Sequence, residues 1–277
     1  MDAFGKTDVG CKRSVNQDAF YIDKSLSIFM VADGMGGHRA GDLASRLAIR
    51  SIINFISNQV PPDHENQKIE EIIMIEKELC RSAVIYANNQ VFQMAESRPE
   101  LQGMGTTIDM IKIIKGYGII CHVGDSRVYK ISNGVIQQLT KDHSQIQELI
   151  DNHQISAKEA EFSSLKNVIT RALGGNEDIE VDTLVVPIYE NDIFLLCTDG
   201  LTGVMENWEI GEELGMYEND LEEAVKGYIE TTLERGAPDN VTVLIVGPAD
   251  EHESLQFEDE QRNLHILKEM LGHEFVE

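Results

Sequence analysis

A run of short apolar segments separated by tight turns, between residues 106 and 139, constrains the fold more than any other feature. Gly116 and the pair Asn133-Gly134 interrupt this run. Asn-Gly is a strong short-range signal for a two-residue hairpin turn. Strands joined by such turns pair antiparallel. The pattern therefore predicts a meander of antiparallel strands in the middle of the chain.

Helical patterns come in consecutive pairs rather than singly between strands. Apolar residues recur at the spacing i, i+3, i+4 over residues 40–55 and again over residues 69–94. Two more helices are predicted between the last two strands. Doubly wound parallel sheets alternate single helices with strands, so we predict an α+β fold in which helices cover antiparallel sheets. Outside the meander, strands are predicted at residues 20–22, 27–31, 181–186, 193–197 and 241–246.

The charge balance excludes some partners. The chain has 48 acidic against 23 basic residues, a formal charge of −25. Binding to nucleic acid or to an anionic membrane surface needs clustered Lys and Arg, so neither is expected. Excess carboxylate suits divalent cations, although surface solubility also explains it. No apolar run is long enough for a secretory signal or a membrane span, so we expect a cytoplasmic protein, with its four cysteines reduced.

Several aspartates lie where predicted strands end, each beside a glycine or an asparagine. Asp33, Asp125 and Asp199 follow apolar strands, whereas Asp239 precedes one, and Asp18 lies shortly before another. Any one of these dipeptides is explained well enough as a turn. Their number favours a second reading, in which carboxylates are held on a rigid frame. Hard oxygen donors without Cys or His pairs favour Mg²⁺ or Mn²⁺ over zinc.

Seven short motifs surround these aspartates and occur in a fixed order. They are Arg13-Ser-Val-Asn-Gln-Asp18, Val31-Ala-Asp-Gly-Met-Gly-Gly-His38, Gly103-Met-Gly-Thr-Thr107, Val123-Gly-Asp-Ser-Arg127, Ile169-Thr-Arg-Ala-Leu-Gly174, Cys197-Thr-Asp-Gly-Leu201 and Asp239-Asn-Val-Thr242. Together they resemble the bacterial metal-dependent serine/threonine protein phosphatases of the PPM, or type 2C, family. The resemblance implies a catalytic domain over residues 1–247, built from two antiparallel sheets packed face to face with helices on both outer faces.

The resemblance also implies a role for each matching residue. Asp33 would bridge two Mn²⁺ or Mg²⁺ ions, and the Gly34 carbonyl would bind one of them. Asp199 and Asp239 would complete the shell of the other ion, and Asp18 would act through bound water. Asp125, with Asp199, matches a third and weaker ion site. Paired ions activate a bridging water for attack on phosphorus, so no protein nucleophile is needed.

Two further residues are assigned by the same resemblance. Arg13 would hold the substrate phosphate through a bidentate grip. His38 has the pKa class of a proton donor to the leaving alcohol, but a histidine at a helix entry explains it equally well. The expected substrates are phosphoproteins, including a serine/threonine kinase and its targets, acted on by a monomer. The alternatives are a phosphoprotein-binding pseudophosphatase and a small-molecule phosphomonoesterase on the same scaffold.

Two segments depart from the family. In the flap, at about residues 141–168, His153, Ser163 and Lys166 replace residues that bacterial relatives often carry, which leaves substrate handling by the flap open. Residues 248–277 form an acidic extension that we predict to be helical, with Leu264, Leu267, Leu271 and Phe275 on one face. That face either packs on the domain itself or docks a partner.

Overall fold

Two five-stranded sheets form the centre of the molecule. A computed structural model describes residues 1–37, 40–59, 67–160, 163, 165, 168–217, 220–247 and 257–276. The strands are β1 Asp2–Asp8, β2 Ala19–Asp23, β3 Ile28–Ala32, β4 Gly34–Met35, β5 Gly105–Thr106, β6 Ile108–Ile114, β7 Tyr117–Val123, β8 Arg127–Ser132, β9 Val135–Gln138, β10 Asp182–Pro187, β11 Ile193–Cys197 and β12 Val241–Gly247.

Every strand pair in these sheets is antiparallel. One sheet has the order β1-β12-β11-β8-β9 and the other the order β10-β7-β6-β3-β2, and β4 pairs with β5 separately. The meander predicted over residues 106–139 is β6 to β9, with Asn133 and Gly134 both at positive φ in the β8–β9 turn. An apolar layer that includes Phe29, Ile120 and Phe194 is buried between the two sheets.

Helices cover the outer face of each sheet, as predicted. The helices are α1 Ala40–Ser57, α2 Ile69–Ser97, α3 Gln145–Asp151, α4 Ala157–Ala160, α5 Asp199–Thr202, α6 Asn207–Gly215, α7 Leu221–Glu234 and α8 Phe257–Leu271, with 3₁₀ turns at Pro99–Leu101 and Gly272–Glu274. The helices α1, α2 and α8 pack on the sheet that contains β3, and α5 to α7 pack on the sheet that contains β11. Among the described residues, no helix is both long and apolar enough to cross a membrane.

Strand β1 was not among the predicted strands. Its sequence, DAFGKTD, has one short apolar pair and no sustained alternation, so periodicity does not reveal it. The strand forms because all seven residues pair with β12, from Asp2 opposite Gly247 to Asp8 opposite Val241. Gly5 lets the two sheets approach here, since a Cβ at this position would lie 2.6 Å from the Phe20 ring. Tertiary pairing therefore overrides weak local preference.

The C-terminal extension packs on its own domain. Leu267, Leu271 and Phe275 are buried in the apolar cluster that α2 shares with its sheet. The Val276 N–H donates to the Val185 carbonyl at 3.0 Å, so the tail adds a short bridge to the outer edge of β10. Glu274 pairs with Lys77 and accepts a hydrogen bond from Thr183 at 2.7 Å. The boundary at residue 247 stays a prediction.

Candidate metal centre

Five aspartates meet at one end of the two sheets because of the strand order. Asp33 follows β3 and Asp18 precedes β2, and Ala19 pairs with Ala32, so these two lie side by side. Asp199 follows β11, whose last residue pairs near the start of β12. Strands β3 and β7 run parallel to each other on either side of β6. Asp125, beyond the end of β7, therefore lies at the same end as Asp33.

A pocket of about 200 Å³ opens between these strand ends. Its polar lining comes from four of the five aspartates and from Arg13 and Gln17. The full lining is Arg13, Gln17, Asp33, Gly34, Met35, Gly36, Asp125, Ile169, Asp199 and Asp239. The strand-end aspartates and the phosphate-binding arginine expected from the sequence thus share one concave surface.

The loop that carries Asp33 is fixed by its neighbours. The Thr107 hydroxyl accepts the Asp33 N–H at 2.8 Å, and the Thr106 hydroxyl donates to the Asp33 carbonyl at 2.9 Å. These threonines hold the Asp33 backbone instead of lining the pocket. Gly34 meets the start of α1, because a Cβ on Gly34 would lie 2.1 Å from the Gly41 carbonyl oxygen. Both the hydrogen bonds and this close approach fix where the Asp33 carboxylate points.

Asp18 is buried next to the pocket, and two threonine side chains hold its carboxylate. Its Oδ2 accepts hydrogen bonds from the hydroxyl groups of Thr198 at 2.8 Å and Thr242 at 2.7 Å. Thr198 directly precedes Asp199, so the two carboxylates are tied to one short segment. Asp18 is not among the residues that line the pocket, and its contact with an ion through water stays a prediction.

Arg13 reaches the pocket from the exposed side. Its guanidinium donates to Asp239 Oδ2 at 2.6 Å, and about half of its side chain, 53%, is exposed. Asp239 and the nearby aspartates Asp33 and Asp199 raise the pKa of Arg13 further. Asp239 is the one hydrogen-bond partner of Arg13 among the residues that the structure describes, and the guanidinium has five N–H donors in all with which to bind an anion.

Burial and mutual repulsion disfavour the charged form of four of these carboxyl groups, those of Asp18, Asp33, Asp125 and Asp199, and so raise the pKa of each. Burial is the main cause, with smaller contributions from neighbouring aspartates, and it raises the pKa of Asp18 to about 7 and that of Asp125 to about 8. The same causes raise the pKa of Asp33 and of Asp199, whose carboxyl groups lie within hydrogen-bonding distance of each other. A bound cation would reverse both effects, since it replaces water and neutralises the repulsion.

Unpaired oxygens give a direct test of whether these residues fit a cation. Among the described residues, one buried carboxylate oxygen on each of Asp18, Asp125 and Asp199 accepts no hydrogen bond. Such groups are costly unless a donor or a metal satisfies them. In the described part of the chain no three acidic, His or Cys side chains are grouped closely enough to hold an ion as they lie. The donor set is nevertheless all oxygen, which fits Mg²⁺ or Mn²⁺.

The sequence reasoning did not single out His143, which contacts the loop that carries Asp125. Its ring Nδ1 accepts the Gly124 N–H at 3.0 Å, and its Nε2 lies 3.1 Å from Asp182 Oδ2. The only signal was its place in Thr140-Lys-Asp-His-Ser144, at the start of the flap. The Arg171 guanidinium, from the motif Ile169-Thr-Arg-Ala-Leu-Gly174, donates to the same aspartate, Asp182, at 2.6 Å.

Other predicted positions receive less support. His38 and Lys166 lie outside the described residues, so the acid role of His38 stays a prediction. His153 is exposed with φ at 54°, just beyond α3. Ser163 is described and is half-buried. The flap therefore contains the short helices α3 and α4, with the Ser144 hydroxyl capping the first of them.

Known proteins are similar to this chain over most of its length. A family model described as protein phosphatase 2C matches residues 11–244. The serine/threonine phosphatase stp of Listeria welshimeri is 38% identical over 249 residues, which cover 89% of this chain and 95% of that protein. The protein phosphatase PhpP of Streptococcus pneumoniae is 32% identical over 249 residues, covering 88% and 96%.

Solved structures show the same fold. The serine/threonine phosphatase PstP/Ppp of Mycobacterium tuberculosis matches with a TM-score of 0.78 at 31% identity, covering 88% of this chain and 97% of that one. A structure of the catalytic domain of the phosphatase PstP in complex with two manganese ions matches with a TM-score of 0.75, also at 31% identity, covering 88% and 96%.

Proposed function

Since this chain belongs to the protein phosphatase 2C family, we propose that the pocket at the strand ends is where it hydrolyses phosphoserine and phosphothreonine in proteins. The protein is a metal-dependent serine/threonine protein phosphatase that uses Mn²⁺ or Mg²⁺. One observation carries the assignment of the site: Asp33, Asp125, Asp199, Asp239 and Arg13 line a single pocket.

The carboxylates divide the binding of the ions between them. We propose that Asp33, the Gly34 carbonyl, Asp199 and Asp239 would hold the two ions, and that Asp18 would contact them through bound water. Asp125, together with Asp199, would hold a third ion. When bound, such ions lower the pKa of a water and neutralise charge on the phosphoryl group. The unpaired oxygens of Asp18, Asp125 and Asp199 support this division.

Arg13 would bind and orient the phosphate. It lies at the exposed rim of the pocket and is oriented by Asp239, so its fork is fixed before a substrate arrives. A planar guanidinium grips two phosphate oxygens at once, which places the phosphorus over the carboxylate cluster. Its pairing with Asp239 also links substrate binding to one of the proposed metal ligands.

The type of phosphate ester that the site would hydrolyse also suggests which proteins are its substrates. Phosphoserine and phosphothreonine in proteins are made by serine/threonine kinases, so such a kinase and its targets are the proposed substrates. We further propose that the protein acts as a monomer in the cytoplasm. Its charge of −25 opposes binding to nucleic acid or to anionic lipid.

One set of assays tests the site. A phosphothreonine peptide and p-nitrophenyl phosphate are each incubated with Mn²⁺, with Mg²⁺ and with excess EDTA. We expect turnover of both substrates with metal and none with EDTA. Turnover that persists in excess chelator would refute the assignment, and binding of the peptide without turnover would favour the pseudophosphatase.

A further inference from the structure

In the loop that carries Asp125, the backbone of Gly124 is bound by one residue of the flap, His143. The His143 N–H donates to the Gly124 carbonyl at 2.7 Å, and the ring Nδ1 of His143 accepts the Gly124 N–H at 3.0 Å. His143 thus satisfies both backbone groups of the residue directly before Asp125. Gly124 has φ at +123°, and a Cβ there would lie 2.5 Å from the Thr107 side chain, so this position requires glycine.

The orientation of the His143 ring is fixed from its other side. Because Nδ1 accepts an amide proton, the proton of the neutral ring is assigned to Nε2, which lies 3.1 Å from Asp182 Oδ2 and 3.0 Å from a nitrogen of the Arg171 guanidinium. Arg171 donates to the other oxygen of Asp182 at 2.6 Å, and the buried His122 ring packs against the His143 ring with centroids 4.6 Å apart. The ring is therefore held by contacts on several sides.

His143 also contacts a second segment of the pocket lining. Its carbonyl accepts the Thr170 N–H at 2.8 Å, and the neighbouring residue Ile169 lines the pocket together with Asp125. Asp125 itself is 6% exposed, and one of its oxygens accepts no hydrogen bond from any residue that the structure describes. A carboxylate without hydrogen-bond support at that oxygen depends on its backbone for its direction.

We propose that His143 is a positioning residue of the phosphatase reaction, which fixes Gly124 so that the Asp125 carboxylate faces the metal pocket. The inference rests on the proposed function, because that function assigns Asp125 to the third ion. It goes further in naming a residue that touches neither the substrate nor the ion and yet controls a ligand.

Two substitutions separate this role from simple packing. The Oδ1 atom of Asn takes the place of the ring Nδ1, so His143→Asn keeps an acceptor for the Gly124 N–H and loses the contact to Asp182. His143→Gln places its amide near the Nε2 position and loses the acceptor for Gly124. We expect His143→Asn to stay within about threefold of the wild-type kcat, and His143→Gln to lose about five- to a hundredfold. The control is His153→Asn in the exposed part of the flap, which should change nothing.

A readout that does not depend on turnover accompanies the kinetics. Hydrogen exchange at the Gly124 amide should be as slow in His143→Asn as in the wild type and faster in His143→Gln. The concentration of Mn²⁺ needed for half-maximal activity should rise only in His143→Gln. Equal losses in the two variants, or slow exchange of this amide in His143→Gln, would overturn the proposal.

A double-mutant cycle tests whether the effect passes through Asp125. If it does, adding His143→Gln to Asp125→Ala should lower kcat by less than about twofold more, because the ligand is already gone. Independent, multiplied losses would overturn the proposal. Failure of the proposed function has a different signature: the wild type itself would lack metal-dependent turnover, whereas hydrogen exchange would still report the Gly124 contact.

Discussion

The carboxyl groups of Asp33 and Asp199 lie within hydrogen-bonding distance of each other, and both are proposed to bind the two metal ions of the site. We expect Asp33→Ala and Asp199→Ala each to lower kcat about a thousandfold or more, because electrostatic stabilisation of the transition state is lost. Asp125→Ala removes a ligand of the third ion only, so its loss should be smaller. Steady-state assays at saturating Mn²⁺ measure these effects, with circular dichroism as the control for folding. Near-normal turnover of Asp33→Ala would contradict the assignment.

Arg13 is proposed to bind the phosphate in the ground state and in the transition state alike. Arg13→Ala should therefore raise KM more than it lowers kcat, since it removes uniform binding. The loss of one charged partner costs about 1.5–3 kcal/mol, or roughly ten- to a hundredfold in kcat/KM. Arg13→Lys should recover only part of this loss, because an ammonium cannot form the two parallel hydrogen bonds. An unchanged kcat/KM in Arg13→Ala would make this residue a surface charge.

At the scale of the elements, the start of α1 packs closely against the loop that carries Asp33. A Cβ on Gly41 would lie 2.6 Å from the Gly34 carbonyl oxygen and 2.7 Å from the Gln17 side chain. Gly41→Ala should therefore push the Asp33-Gly34 loop away and destabilise the fold by about 1–3 kcal/mol. Urea unfolding and kcat measure the two effects. Gly215→Ala in α6 is the control, since no described atom lies within 4 Å of a Cβ placed at this position. This substitution should leave kcat unchanged and add up to about 1 kcal/mol of stability.

The strand ends explain why much of the site was predictable and the rest was not. An aspartate directly after a buried strand is visible in the sequence, as at Asp33 and Asp199. Antiparallel pairing then brings the end of one strand beside the start of its neighbour, which places Asp33 next to Asp18. The contact of His143 with Gly124 joins residues 19 positions apart through a ring nitrogen, and no pattern of hydrophobicity encodes it. Strand β1 likewise depends on its pairing with β12 at the other end of the chain.

At the scale of the whole molecule, the C-terminal helix contributes to the core next to α2. Leu267 is fully buried there, whereas Met270 on the same helix is 51% exposed. Leu267→Ala should lower the free energy of unfolding by about 2–4 kcal/mol because it leaves a cavity, and Met270→Ala should change it by less than about 0.5 kcal/mol. Denaturant titration of both variants measures the difference. Equal stability of the two would mean that α8 is not packed in solution and is available to a partner.

Metal binding should stabilise the whole fold, and the pH dependence of this effect has a definite sign. Burial raises the pKa of Asp18 to about 7 and that of Asp125 to about 8, from 3.8. Without metal, the stability from these two groups is greatest below about pH 4, falls as the pH rises from there to the folded pKa values of about 7 and about 8, and is lost above them. The cause is that the unfolded state gives up these protons more readily than the folded state, which must then hold unpaired charges.

Divalent ions remove this cost and compete with the protons, so the increase in Tm on adding Mn²⁺ should be larger at pH 8 than at pH 6. At a Mn²⁺ concentration about a hundredfold above Kd, the stabilisation is about 2.7 kcal/mol, or roughly 5–10 °C in Tm. Thermal unfolding at both pH values measures the shift, and Asp199→Ala should lose most of it. A shift of equal size in Asp199→Ala, or one that shrinks as the pH rises, would show that the ions bind elsewhere.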